Sequence, residues 1–550
     1  MSILATVAIE QLIQYGVKHF CICPGSRSTP LTLAVARHPK AHSHIFHDER
    51  SAAFAALGFG KAGQVAVLIT TSGTAVANAL PAVVEANLAN IPLLLMTADR
   101  PPELRFTNAN QTIDQIKLFG EQTRFFFDIP CESSSYSIEA LQNTLSFAVS
   151  KCTGANAGPI HLNWMFREPF DLTQRTISIR SFPVPTEGIL VPTSVQKKHI
   201  KQQLASSKRG LLVIGEITDP IEITAIKSSL SKVKWPCIID ASSGLSLLSH
   251  DGKVLAYEDL LRSPPPEFKP DIIVHLGNGL CTKRYEQWLQ QLDCPALLFH
   301  PRPILSNPAA RPFERYTVHL QSLDFLFDSL QESALLDWVQ NHNQQLQMAL
   351  PHREQWDEIS VLQQSIDSVP KEGQLFIGNS MPIRDLNNYI CSKYIPVASN
   401  RGASGIDGIP STAFGWMLGN QKPTLLVLGD LSLMHDFGVL FTLQQQSFLC
   451  PLVIVVINNC GGGIFEMLPI ATEETIFDSH FATIHQHQLA PITTAMNIDT
   501  HSVTDIPSLQ TALQSCWENN GLQIIEARVE RRHTNSIRKK LRLLTQGGSV

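Results

Sequence analysis

The chain has 550 residues, more than one hydrophobic core serves, so about three domains are expected. Hydrophobic residues make up 44% and charged residues 17%, the balance of a globular protein folded in water. A formal net charge of -5 excludes a global nucleic-acid footprint, and no apolar run approaches the roughly 18 residues of a membrane helix.

The opening stretch MSILATVAIEQLIQYGVKHF has no basic lead and carries Glu10 inside its apolar run, which predicts an amphipathic first helix and not a signal peptide. Strand candidates then follow in order: HFCICP, AHSHIFH, VAVLITTS, IPLLLMTA and GPIHLNW. Helical patterns such as RSAAFAALGFGKAG and AVANALPAVVEANLAN separate them, which predicts βαβ units on a parallel sheet. The Pro-rich SFPVPTEGILVPTS reads as a linker. A second set of strands, GLLVIGE, PCIIDAS, DIIVHLG, PALLFHP and YTVHL, precedes the polar helical stretch ALLDWVQNHNQQLQMALPHREQW. A third set is QLFIGNS, IPVASN, TLLVLGD, LVIVVINN and LQIIEARV. The expected fold class is α/β, with three doubly wound parallel-sheet domains in series over residues 1–182, 183–345 and 346–550.

Two strands of the third region end in groups suited to a metal and a diphosphate. One closes on Gly429 and Asp430, the other on Asn458 and Asn459 before glycines 461–463. Asp430 offers a carboxylate oxygen, Asn459 an amide oxygen and Gly461 a backbone carbonyl. Magnesium takes about six such hard oxygens, so phosphate and water complete the shell. In open α/β sheets ligands lie at the carboxyl ends of strands, where these residues fall. Ser432 and the amides that open the next helix suit phosphate oxygens. Taken alone, the pair also fits a strand-end turn and an unrelated Asn-Asn loop.

Several other features carry less. Gly58-Phe-Gly60-Lys-Ala-Gly63 matches G-x-G-x-x-G but ends a helical stretch, so it is not read as a dinucleotide site. His42, His44 and His47 alternate on a strand and read as a half-exposed face before they read as metal ligands. Seven basic residues between Arg528 and Arg542 read as a solvated helix. The 11 cysteines include no C-x-x-C pair and point to a reduced cytoplasmic protein; Cys460 is expected to act through its backbone.

The pattern GDL…NN resembles the GDG…NN signature of the thiamine-diphosphate-dependent enzymes, with Leu431 at the third position. CPGSRSTPL at 23–31, HDERSAAF at 47–54, TSGTAVANALPAVVEA at 71–86, TADRPPEL at 97–104, ANQTIDQ at 109–115 and SNRGASGIDG at 399–408 are similar to the branch of that family acting in menaquinone and phylloquinone biosynthesis. A weaker echo is TKR at 282–284.

The resemblance implies a thiamine-diphosphate-binding fold that uses thiamine diphosphate with Mg2+ or Mn2+. It implies 2-oxoglutarate and isochorismate as substrates, decarboxylation of the first and its 1,4-addition to the second. It also implies a cytoplasmic homodimer with shared active sites, extended to a homotetramer, with no nucleic-acid partner and no membrane insertion. Glu49 is the implied catalytic residue, bonded to the pyrimidine ring of the cofactor; by itself it reads as a helix-start acid favoured by the dipole. Ile406 is the apolar prop that bends the cofactor. Gly429, Ser432, Gly461, Gly462 and Ile464 are implied to bind cofactor, and Asp430, Asn459 and Gly461 the metal. Dicarboxylate substrates suit arginine forks. The matching candidates are Ser26, Arg27, Arg100, Asn110, Gln111, Lys283, Arg284, Ser380, Arg384 and Arg401, with Ile464, Phe465 and Leu468 as an apolar wall. Singly, each cation reads as a surface charge. Another 2-oxo acid enzyme of the same cofactor family and an inactive cofactor-binding relative remain as alternatives.

Overall fold

A computed structural model describes residues 2–133, 135–170, 172–173, 179–303, 311–349 and 355–545. They form three sheets in which every strand pairing is parallel. The first contains β1 (His19–Ile22), β2 (His42–Ile45), β3 (Ala66–Thr70), β4 (Leu93–Asp99), β5 (Phe125–Ile129) and β6 (Pro159–Met165), in the order β2-β1-β3-β4-β6-β5. The second contains β7 (Gly210–Ile214), β8 (Cys237–Ile239), β9 (Ile272–Leu276), β10 (Ala296–His300) and β11 (Glu314–Thr317), in the order β11-β10-β9-β7-β8. The third contains β12 (Gln374–Ile377), β13 (Val397–Ala398), β14 (Thr424–Gly429), β15 (Pro451–Asn458), β16 (Asp499–Val503) and β17 (Gly521–Arg528), in the order β13-β12-β14-β15-β17-β16. Counted from its own first strand, the third sheet repeats the order of the first.

The central strands are near-continuous apolar runs because helices cover both faces of a parallel sheet. All residues of β4 and β15 are buried. The expected strands are present; β5 and β16 are additional. The predicted helix over AVANALPAVVEANLAN is two helices, Thr74–Ala77 and Leu80–Ala89, with Pro81 in the first turn of the second.

The contacts group into two compact units. One gathers Met1–Gly188, Asn400–Gln421 and His435–Leu449; the other gathers Ile189–Ser399, Lys422–Met434 and Cys450–Val550. Within the first unit, helix Glu49–Lys61 packs closely on helix Ile409–Asn420. A Cβ on Gly58 would lie 2.2 Å from the Thr412 carbonyl, and one on Gly415 would lie 2.0 Å from the Ala55 carbonyl. That close approach accounts for the first glycine of the Gly58–Gly63 motif. His42 and His44 join His19 in a side-by-side imidazole group, in which His19 Nδ1 lies 3.2 Å from His44 Nε2 and the His19 ring stacks on Phe59.

In the second unit, the basic stretch near the C-terminal end corrects an expectation. Helix Arg531–Thr545 is not simply solvated: Arg531 and Arg538 are buried. Arg538 pairs with Glu358 and Asp385, and Arg531 with Glu466. Their acidic partners lie far away in sequence, so local charge counting misses them. Among the described residues no helix is long and apolar enough to cross a membrane.

Three buried histidines make stability depend on acid. Burial pushes the pKa of His161 down to about 3, and those of His275 and His300 down to about 4. Each stabilises the fold only while neutral. The contribution is complete above the unfolded value of about 6.5 and drains as pH falls toward the folded values, by about 1.4 kcal/mol per pH unit per group. The melting temperature is therefore expected to fall steeply between pH 6.5 and 4. A flat profile over that range would mean these rings are protonated or exposed in the folded chain.

Candidate active site

The parallel register places Gly429 of β14 beside Ile457 of β15, so Asp430 and the Asn458-Asn459 pair leave the sheet side by side. Asp430 is 2% exposed. Its Oδ1 accepts from the Leu431 amide at 2.6 Å, and its Oδ2 accepts from the Gly461 amide at 3.0 Å and lies 3.2 Å from His485 Nε2. Burial raises its pKa, while the Leu431 amide and the His485 ring pull it back. Cys460 (φ +61°) and Gly461 (φ +144°) turn the loop over this carboxylate. A Cβ at Gly461 would lie 2.5 Å from the Ala482 carbonyl.

The two asparagines divide the work. Asn458 is saturated: Nδ2 donates to Glu526 Oε1 and to the His487 carbonyl, and Oδ1 accepts from the Cys460 amide. Asn459 Nδ2 donates to Glu358 Oε1 at 2.8 Å, whereas its Oδ1 is buried without a partner. A buried polar atom left unpaired is costly and asks for a ligand. A hard divalent cation fits this donor set, since a carboxylate, an amide oxygen and a backbone carbonyl are its preferred ligands. Among the described residues no three His, Cys, Asp or Glu side chains form a metal-binding group, so other oxygens must complete the shell. The Gly461 carbonyl already accepts from the Gly463 amide at 3.0 Å, which leaves it a second lone pair.

Nearby, Ser432 is buried on the first turn after Asp430, and the space a Cβ on Gly429 would fill is open. Ile464 and Phe465 are half-buried on the short helix Gly463–Met467, and a Cβ on Gly462 would meet the Phe465 ring at 2.8 Å. Leu468 is 43% exposed, so only the first two belong to a packed apolar surface here. Burial pushes the Cys460 thiol up, and Asp430 adds to the rise.

In the first unit Glu49 opens helix Glu49–Lys61 behind the cap Asp48, whose carboxylate accepts from the Arg50 amide. Asn78 Nδ2 donates to Asp48 Oδ1 at 2.9 Å and to Glu49 Oε2 at 3.2 Å. Loop 399–408, which carries Arg401 and Ile406, is tied down by Glu85. That carboxylate is 2% exposed and accepts from the amides of Gly402 (2.9 Å) and Ala403 (2.6 Å). Arg401 and Ile406 are both half-buried. Arg50 anchors the loop from the other side through Asp407 and Asp436.

The expected substrate residues fall into two groups. In the first unit Arg100 donates to Ser72 Oγ (2.7 Å) and to the Asn110 carbonyl (3.0 Å), while Gln111 Nε2 donates to the Ser72 carbonyl. Arg27 donates to the Phe166 carbonyl and Glu168. Burial, then the neighbouring Arg27, lowers the pKa of Arg100. Arg27, Arg100, Asn110 and Gln111 are therefore one cluster; Ser26 is exposed at the adjoining turn. In the second unit Arg384 donates to the Ser380 carbonyl at 2.6 Å, and Arg284 to Gln287. Lys283 is exposed. Burial raises the pKa of Glu258, with Arg384 the main opposing charge.

Sequence reasoning missed Ser72, Asn78, Glu85, Glu358 and His485. The first three lie inside the motif at 71–86, where only the stretch as a whole was read. His485 had a weak signal in His485-Gln-His487. Glu358 had none.

Residues 3–118 match the family described as "Thiamine pyrophosphate enzyme, N-terminal TPP binding domain", and residues 189–377 match "Middle domain of thiamine pyrophosphate". The chain is 34% identical over 563 residues to a 2-succinyl-5-enolpyruvyl-6-hydroxy-3-cyclohexene-1-carboxylate synthase of Rubrobacter xylanophilus, covering 97% of this chain and 96% of the relative. It is 36% identical over 552 residues to the enzyme of the same name from Chloroflexus aurantiacus (95% and 92% covered). The Pelodictyon phaeoclathratiforme protein of that name is 35% identical over 526 residues (90% and 88% covered).

Glu85→Gln removes one of two charged acceptors from the loop amides and sets an NH2 against an N–H. It is expected to cost about 2 kcal/mol in chemical denaturation and to speed hydrogen exchange at Gly402 and Ala403. Unchanged exchange at both amides would show that Glu85 does not hold the loop.

Proposed function

The chain belongs to the 2-succinyl-5-enolpyruvyl-6-hydroxy-3-cyclohexene-1-carboxylate synthase family of thiamine pyrophosphate enzymes, and from that membership we propose that it decarboxylates 2-oxoglutarate and adds the remaining carbons to isochorismate in a 1,4 sense, in menaquinone or phylloquinone biosynthesis. The observation that carries the cofactor reading is the unpaired, buried Oδ1 of Asn459 on the loop that folds over the Asp430 carboxylate. Asp430, Asn459 and Gly461 would hold Mg2+ or Mn2+, the counter-ion that a diphosphate needs. Gly429, Ser432, Gly462 and Ile464 line the same cofactor end. Thiamine diphosphate, when bound, supplies the carbon nucleophile and the electron sink for decarboxylation.

Glu49 would present its carboxyl group to the pyrimidine ring of the bound cofactor and hold a proton there. Asn78 keeps that carboxyl in place through Oε2. Ile406 would serve as the apolar prop against the cofactor, and Glu85 fixes the loop that carries it. Arg27, Arg100, Asn110 and Gln111, with Ser26 beside them, take substrate carboxylates, as do Lys283, Arg284, Ser380, Arg384 and Arg401. Phe465 and Leu468 offer apolar contact to substrate carbon.

The functional unit in this reading is a cytoplasmic homodimer with shared active sites, assembled further into a homotetramer, with domains at 1–182, 183–345 and 346–550.

Two measurements test the proposal. Purified protein with Mg2+ and thiamine diphosphate is expected to release carbon dioxide from 2-oxoglutarate in step with isochorismate consumption. Release from pyruvate instead would move it to another 2-oxo acid chemistry. Glu49→Gln is expected to fold as the parent and to lose about 10²-fold or more in kcat. Near-normal turnover by that variant would remove Glu49 from the chemistry.

A further inference from the structure

The carboxamide of Asn459 has two ends, and only its oxygen binds a cation. Which end faces the site is decided by what the other end meets. Here Nδ2 meets Glu358 Oε1 at 2.8 Å. An ionised carboxylate only accepts, so it takes the NH2 end and leaves Oδ1 for a ligand. The second oxygen of Glu358 accepts from Arg538 Nη2 at 2.6 Å. Arg538 in turn donates through Nε to Asp385 Oδ1 at 2.9 Å. Glu358 and Asp385 are 2% exposed and Arg538 is 1% exposed. The Glu358 amide donates to Thr534 Oγ1, so the acid is tied to helix Arg531–Thr545 through backbone as well as side chain.

Arg538 occupies the far oxygen of Glu358 and leaves Oε1 to accept from the carboxamide NH2.

We propose that Glu358, held by Arg538, is a positioning residue that locks the Asn459 carboxamide with its oxygen toward the bound cation. This rests on the reading of Asp430 and Asn459 as cation ligands. Substitution of Glu358 by Gln makes the logic visible. Arg538 then claims the glutamine oxygen, and the glutamine NH2 faces Asn459, which flips and spends Oδ1 on it.

The test is Mn2+ binding to the full chain with thiamine diphosphate, followed by electron paramagnetic resonance. Wild-type protein is expected to bind Mn2+ only with the cofactor present; no such binding would bring down the cation reading itself. With that binding in hand, Glu358→Gln is expected to weaken Mn2+ about tenfold or more, while kcat recovers at high Mn2+. Asp385→Asn, which leaves the Glu358–Asn459 contact in place, is expected to lower the cofactor-free melting temperature and change Mn2+ affinity less than threefold. Wild-type affinity in Glu358→Gln, or equal weakening in Asp385→Asn, would overturn the proposal and leave Glu358 a fold residue. Should Glu358→Gln not fold, Arg538→Lys keeps the charge but loses the fork. It is expected to weaken Mn2+ severalfold, and unchanged affinity there would equally overturn the proposal.

Discussion

Parallel pairing of Thr424–Gly429 with Pro451–Asn458 is the constraint on which the candidate site depends. Parallel strands are joined by crossovers, so both leave the sheet at the same edge, and whatever follows them is brought together. A shift in register would carry Asp430 away from Asn459 and turn inward residues outward. The eight residues of Pro451–Asn458 are all buried, and the strand is paired on both sides. The loop beyond is held by the same economy of hydrogen bonds. Glu526 takes Asn458 and the amides of Leu489 and Ala490, so one asparagine is engaged in holding the loop while the Oδ1 of its neighbour stays unpaired.

Charge in this protein is buried or half-buried where it holds a segment in place. Arg538 with its two acids, Glu85 with its two amides and Arg50 with Asp407 and Asp436 each pin a segment that bears a candidate functional residue. Buried ion pairs are poor sources of net stability, because desolvation offsets the attraction. Their use here is orientation. Burial raises the Asp385 carboxyl above its ordinary range despite the adjacent guanidinium.

Much of this organisation was legible in the chain itself. The apolar runs bounded by glycine announced the buried parallel strands, and Gly-Asp and Asn-Asn at two strand ends marked the two loops that leave the sheet side by side. Phe125–Ile129 was missed because its five residues carry neither alternation nor turn signals, and Asp499–Val503 because it is a polar strand with only Val503 buried. The arginines of helix Arg531–Thr545 were misread because burial depends on partners that lie 153 and 180 residues away for Arg538. Glu358 was invisible for the same reason: an acid at a helix start has no local mark of its use. Local pattern reports the backbone and the strand-end residues; the partners that hold those residues come from sequence-distant contacts.

The strand order shared by the first and third sheets has a chemical consequence. The slot after the fourth strand holds Arg100 in one and Asn459 in the other; the slot after the third holds Ser72 and Asp430. One repeated backbone plan thus presents unlike groups at equivalent strand ends: a guanidinium against an unpaired carboxamide oxygen, and a hydroxyl against a buried carboxylate.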